Sequence, residues 1–213
     1  MRPSKPFKFG SMSRRAAITG AALAAMATLS ACGGGGGYQE AEGDMGLGAA
    51  KGAKVTVVEY ASVTCSHCAA WQEEVWPQFK AKYVDTNKIR YVFREFPTPP
   101  VPVAAAGFLV ARCAGEDKYF DVIHEIMASQ AEIFGGTPPR NVLLRIAQGA
   151  GLSEAQFTAC VTDTKAAEAL DKRVKAGIDA GVDGTPSFFV NGEKVADSSL
   201  TSLSAKIDAA LAK

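Results

Sequence analysis

The stretch Val55-Thr56-Val57-Val58-Glu59-Tyr60-Ala61-Ser62-Val63-Thr64-Cys65-Ser66-His67-Cys68 decides how this 213-residue chain is read. Its first half is β-branched and aromatic, the composition of a buried strand. Two cysteines follow at once, and after them Trp71, Val75, Phe79 and Tyr83 recur at steps of four, the spacing of a helix with one apolar face. A strand that runs through a short loop into a helix puts Cys65 at the helix N-terminus. Unsatisfied backbone N–H groups and the positive end of the helix dipole stabilise a thiolate there, while Cys68, one turn inside, is placed to resolve a mixed disulfide. Pro77 falls inside the helical pattern and lacks a backbone donor, which predicts a kink.

Downstream, Ile89-Arg90-Tyr91-Val92-Phe93 reads as the next strand, completing a strand-helix-strand unit with parallel strands and a right-handed crossover. From Val101 to about Ala180 only helical patterns appear, broken at Gly115, at Gly135-Gly136-Thr137-Pro138-Pro139, at Gly149 to Gly151 and near Thr162. Strand character returns at Ser187-Phe188-Phe189-Val190. Asn191-Gly192 ahead of Glu193-Lys194-Val195 is a strong hairpin signal of the primed-turn type, and a last helix runs from about Ser199 to Leu211. The expected fold is α/β: a central mixed sheet flanked by helices, with an all-helical insertion at about 100–180. This is the thioredoxin arrangement, assigned to residues 52–213.

Upstream, Arg2, Lys5, Lys8, Arg14 and Arg15 precede an uncharged, Ala-rich run from Ala16 to Ala31, and the first acidic residue is Glu40. A basic segment before an apolar run too short to span a bilayer reads as an export signal, residues 1–31. Leu29-Ser30-Ala31-Cys32 resembles a bacterial lipobox, which makes Cys32 the expected lipidation site and membrane anchor. Gly33 to Gly37 and the Gly/Ala/Glu-rich sequence after them, 32–51 together, read as a flexible tether. Ser13-Arg14-Arg15 resembles part of a twin-arginine signal, though Ala16-Ala17 departs from it, so the export route stays open. Cleavage before Cys32 removes five of the 23 basic residues and none of the 22 acidic ones, taking the net charge from +1 to −4. A nucleic-acid role loses its electrostatic support.

With Cys32 lipidated, four cysteines remain for an oxidising compartment, and an even number there suggests two pairs. Cys65 and Cys68 form a local reactive motif. Cys113 and Cys160, 47 residues apart, are either a long structural staple or two free buried thiols. A zinc site would need two more ligands beside the CxxC. The candidates Cys113, Cys160 and His124 form no second close pair, so no metal is expected. No cofactor is called for either.

Two segments together, Val57 through Cys68 and Gly181-Val182-Asp183-Gly184-Thr185-Pro186-Ser187-Phe188-Phe189-Val190-Asn191-Gly192, resemble the DsbA-like bacterial thiol:disulfide oxidoreductases. The resemblance covers about residue 52 to the end and is looser through the helices. It implies Cys65 as nucleophile, Cys68 as resolving cysteine and His67 as a thiolate-stabilising side chain. Glu59, six residues before Cys65, becomes a buried acid that relays protons to or from Cys68. It also implies a cis-proline loop at Thr185-Pro186, whose backbone would pair with an extended substrate, and a structural Cys113–Cys160 disulfide. Reduced exported proteins or peptides would be the substrates, a DsbB-like quinone-linked membrane oxidase the partner, and the cell envelope the location of a monomer. Ser66 stands where many of these proteins have proline, which leaves the redox potential to be measured. A reductase or isomerase is the nearest alternative reading, and a non-catalytic peptide-binding or chaperone module is one of another class.

Overall fold

The computed structural model describes residues 40–213. The expected export signal, the Cys32 lipid site and the polyglycine run lie outside the described residues.

Within them one sheet has the order β1-β3-β2-β4-β5, built from β1 (Met45–Gly48), β2 (Thr56–Ala61), β3 (Arg90–Glu95), β4 (Ser187–Val190) and β5 (Glu193–Lys194). β2 runs parallel to β3 and antiparallel to β4, while β1 pairs antiparallel with β3, so the sheet is mixed. All six residues of the central strand β2 are buried, which is why its sequence lacks the polar alternation of a half-exposed strand. Asn191 and Gly192 both take positive φ, 49° and 83°, the conformation that matches a two-residue hairpin turn to the twist of its strands.

The first helix is interrupted where the proline expectation places a break. α1 (Ser66–Glu74) closes at Val75, whose N–H reaches the Trp71 carbonyl. α2 (Trp76–Phe79) starts afresh with Pro77 in its first turn, where a missing N–H costs nothing, and a π-type turn follows over Lys80–Val84. Trp71, Phe79 and Tyr83 are buried as their spacing requires. The break also turns Trp76 inward, off that spacing, to pack 4.7 Å from the Tyr91 ring.

α3 (Val101–Cys113), α4 (Glu116–Ala128), α5 (Gln130–Phe134), α6 (Pro139–Gly149), α7 (Glu154–Val161) and α8 (Thr164–Asp179) make up the helical block, and α9 (Leu200–Ala212) closes the chain. Cys113 and Cys160 are joined by a disulfide with Cα atoms 6.2 Å apart, pinning the end of α3 to α7. Replacing both by serine is expected to lower unfolding free energy by roughly 2–4 kcal/mol through the lost loop constraint. Urea melts of the two chains check this, and a loss below the error of the method would mean the bridge constrains little.

The boundary at residue 52 is corrected. Residues 45–48, which composition places in the tether, form the edge strand β1 in register with β3, Met45 opposite Phe93 and Gly48 opposite Arg90. Glycine is needed here: a Cβ on Gly46 would lie 2.7 Å from the Tyr91 carbonyl oxygen, and Gly48 has φ +80°. Ion pairs Glu40–Arg90 at 3.0 Å and Asp44–Arg94 at 2.6 Å, all four side chains largely buried, clamp the segment down. The folded domain therefore includes residues from Glu40 onward.

Glu95 ends β3 with 1% of its surface exposed. It accepts hydrogen bonds from Arg112 of α3, from Arg173 of α8 at 2.9 Å and from Tyr119 of α4 at 3.1 Å. Burial alone would raise its pKa, but the hydrogen bond and charge of Arg112 and the charge of Arg173 outweigh it, leaving the carboxyl below the ordinary range. One carboxylate thus ties three helices to the sheet.

Candidate active site

Beyond the end of β2 the buried loop Ser62-Val63-Thr64 delivers Cys65 to the N-cap position of α1. Both cysteines are free, Cys65 with 9% of its surface exposed and Cys68 with none. The Cys65 sulfur accepts from the Cys68 backbone N–H at 3.3 Å, capping the helix.

The two thiols are driven apart in acidity. Cys65 is lowered to about 5, most strongly by the hydrogen bond from the Cys68 thiol; burial opposes this, and the Thr185 side chain and the backbone N–H groups of Cys68 and His67 add to it. Burial pushes the Cys68 thiol far up, with the Cys65 hydrogen bond and the charge of Glu59 adding. The outer sulfur therefore holds negative charge near neutral pH and the inner one holds its proton.

The structure brings Thr185, Pro186 and Glu59 to the cysteine pair. Thr185-Pro186 is a cis peptide, as the resemblance implies, and the Cys65 sulfur, when it carries its proton, donates to the Thr185 carbonyl at 3.3 Å. Glu59 is 1% exposed, and burial raises it to about 8, partly offset by a hydrogen bond from the Tyr91 hydroxyl. The His67 side chain is exposed, and the His67 backbone N–H is one of the groups that lower Cys65.

Further residues of the site escape sequence reading. Gln130, buried in α5, donates from its side-chain amide to the carbonyls of Val63 at 2.9 Å and Cys65 at 3.0 Å. The Thr64 hydroxyl donates to the Thr98 carbonyl at 2.8 Å, and the Thr98 N–H to the Ser62 hydroxyl at 3.0 Å. Trp71 is fixed by its indole N–H on the Ser198 carbonyl at 2.8 Å. Isolated polar residues such as these carry no spacing signal. Among the described residues no cluster of three or more His, Cys, Asp or Glu side chains is placed to hold a metal ion, and no helix is long and apolar enough to cross a membrane.

The chain matches a family model described as Thioredoxin over residues 40–209. It is 39% identical over 172 residues to a Rickettsia bellii protein provisionally named a protein-disulfide oxidoreductase, a match covering 80% of this chain and 65% of the relative. The chain thus spans just under two thirds of that relative's length. Among solved structures it is similar to α-DsbA1 of Wolbachia pipientis, with TM-score 0.74 and 26% identity over 81% of this chain and 93% of the other. It shares its fold with BdbD of Bacillus subtilis, with TM-score 0.72 and 18% identity over 83% and 97% of the two chains.

Proposed function

The chain belongs to the thioredoxin family, and from that membership we propose that it is a DsbA-like protein thiol:disulfide oxidoreductase that donates disulfides to exported proteins. The observation that carries the reading is the unequal pair. Cys65 is lowered to about 5 in a partly open position while Cys68 is raised and buried. A thiol stabilised as thiolate is a good leaving group and favours the reduced form of the pair, which makes its disulfide an oxidant.

In the oxidised chain a client thiolate attacks the Cys65 sulfur. A client–Cys65 bond forms, the Cys65–Cys68 bond breaks, and Cys68 takes the electron pair and a proton. A second client thiolate then attacks the client sulfur of this mixed disulfide and expels Cys65 as thiolate. The client has lost two electrons, and the Cys65/Cys68 pair has gained them. Thr185 beside Cys65 would align an extended client segment through its backbone, with Pro186 shaping that wall. A DsbB-like quinone-linked membrane oxidase would accept the electrons.

The same proposal places the protein in the bacterial cell envelope as a monomer, with residues 1–31 as export signal and Cys32 as lipid anchor facing the extracytoplasmic space. The test is the equilibrium potential of the full chain titrated against glutathione. We expect a value well above the roughly −270 mV of thioredoxin, with thiolate absorbance of Cys65 titrating at about pH 5. A potential at or below that of thioredoxin would sink the donor reading in favour of a reductase.

A further inference from the structure

We propose that Tyr91 is a positioning residue for proton transfer at Cys68: its buried hydroxyl orients the Glu59 carboxyl without a cation beside it. This rests on the exchange reading above.

The observation is geometric. Tyr91 and Glu59 are both buried, at 0% and 1% exposure, and the Tyr91 hydroxyl donates to the Glu59 carboxyl. The strands make this reachable. Val57 stands opposite Tyr91 and Glu59 opposite Phe93, so Tyr91 lies diagonal to Glu59 across the parallel pair, within range of a long side chain. Trp76 at 4.7 Å and Phe120 at 6.0 Å pack on the Tyr91 ring and fix its direction.

The titratable groups acting on Glu59 are Tyr91 from β3 and Cys65 from α1, and Glu59 acts in turn on Cys68. Phe188 faces it from β4. Helix α4 of the insertion presents His124 to Trp76, and Tyr119 to Glu95. Among the described residues no cation acts on this carboxyl.

That choice of partner has a chemical consequence. An adjacent cation would pin Glu59 as a carboxylate that has no proton to give. A phenol supplies direction while leaving the carboxyl able to exchange its proton, and burial raises Tyr91's own pKa, so it keeps its hydrogen. When a client thiolate opens the Cys65–Cys68 bond, the electron pair goes to Cys68 and the Glu59 proton goes with it. The carboxylate left behind accepts the Tyr91 hydrogen bond until solvent returns a proton. In the reverse step Glu59 takes the Cys68 proton, Cys68 attacks Cys65 in a mixed disulfide, and the other thiol leaves.

The reverse step gives a clean test. Reduced full chain is mixed rapidly with excess oxidised glutathione, and the first-order phase independent of glutathione concentration reports the attack of Cys68 on the Cys65–glutathione disulfide. Its rate is expected to rise with pH through a limb that Glu59→Gln removes. Tyr91→Phe should move the midpoint of that limb up by about one to two pH units, the worth of a hydrogen bond to a charged group. In the Glu59→Gln background it should change nothing further. An unmoved midpoint, or equal slowing by Tyr91→Phe in both backgrounds, would overturn the proposal. Glu59→Asp, which withdraws the carboxyl from Tyr91, decides the matter if Tyr91→Phe does not fold: an upward midpoint supports the inference and an unchanged one overturns it. Failure of the unmutated chain to form any mixed disulfide would remove the exchange reading itself and this inference with it.

Discussion

Cys65→Ser is expected to abolish disulfide donation, a fall of at least about a thousandfold in the rate at which the oxidised chain reactivates a reduced, unfolded secreted enzyme, the scale of loss for a removed nucleophile-type residue. Among the described residues no other thiol is open to a client. Cys68 is wholly buried, and Cys113 and Cys160 are engaged with each other. Cys68→Ser should also lose donation, having no Cys65–Cys68 disulfide to give, but its Cys65 thiolate can still attack an oxidised client and expel one client thiolate; with no Cys68 to attack back, that client–Cys65 mixed disulfide accumulates on non-reducing gels. Residual oxidation by Cys65→Ser would mean that another sulfur is attacked. Client binding and biological function left intact in that variant would favour the peptide-binding module over an enzyme.

The second large effect concerns stability. Glu95→Ala would leave Arg112 and Arg173 facing an empty buried site, and breaking a buried ion pair from one side costs about 3–5 kcal/mol. Denaturant melts of the variant and the parent read this directly, and a loss under about 1 kcal/mol would show that the guanidiniums find other partners. The pH dependence has a fixed sign. Glu95 is held below the ordinary carboxylate range, so its contribution is complete above the unfolded value of about 4.3 and drains away as pH falls through the lower folded value. The variant should therefore lose its deficit relative to the parent in strongly acidic solution.

What could be read from sequence was local in origin. The buried strand β2, the cysteine pair at the opening of α1 and the Asn191-Gly192 turn each carry their instruction within a few adjacent residues. β1 does not: Met45-Gly46-Leu47-Gly48 has no β-branched residue and a glycine at every second position, and it is a strand because β3 offers a ladder and Arg90 and Arg94 clamp its acidic neighbours. Trp76 escaped because the break before Pro77 rephases the helix. In the site, the cysteines and Thr185-Pro186 were legible from their motifs. The roles of Tyr91 and Gln130 were not, since each depends on a contact more than thirty positions along the chain.

The two hydrogen bonds from Gln130 make the reactive loop and the helical block share one stiffness. A hinge between them would strand two carbonyl oxygens in a dry interior, a cost that grows with every degree of opening. The facing wall is more open: exposed Asp183 and Gly184 precede a half-buried Thr185-Pro186. The nucleophile's side of the site is thereby a braced wall, tied at two backbone oxygens to a helix far along the chain.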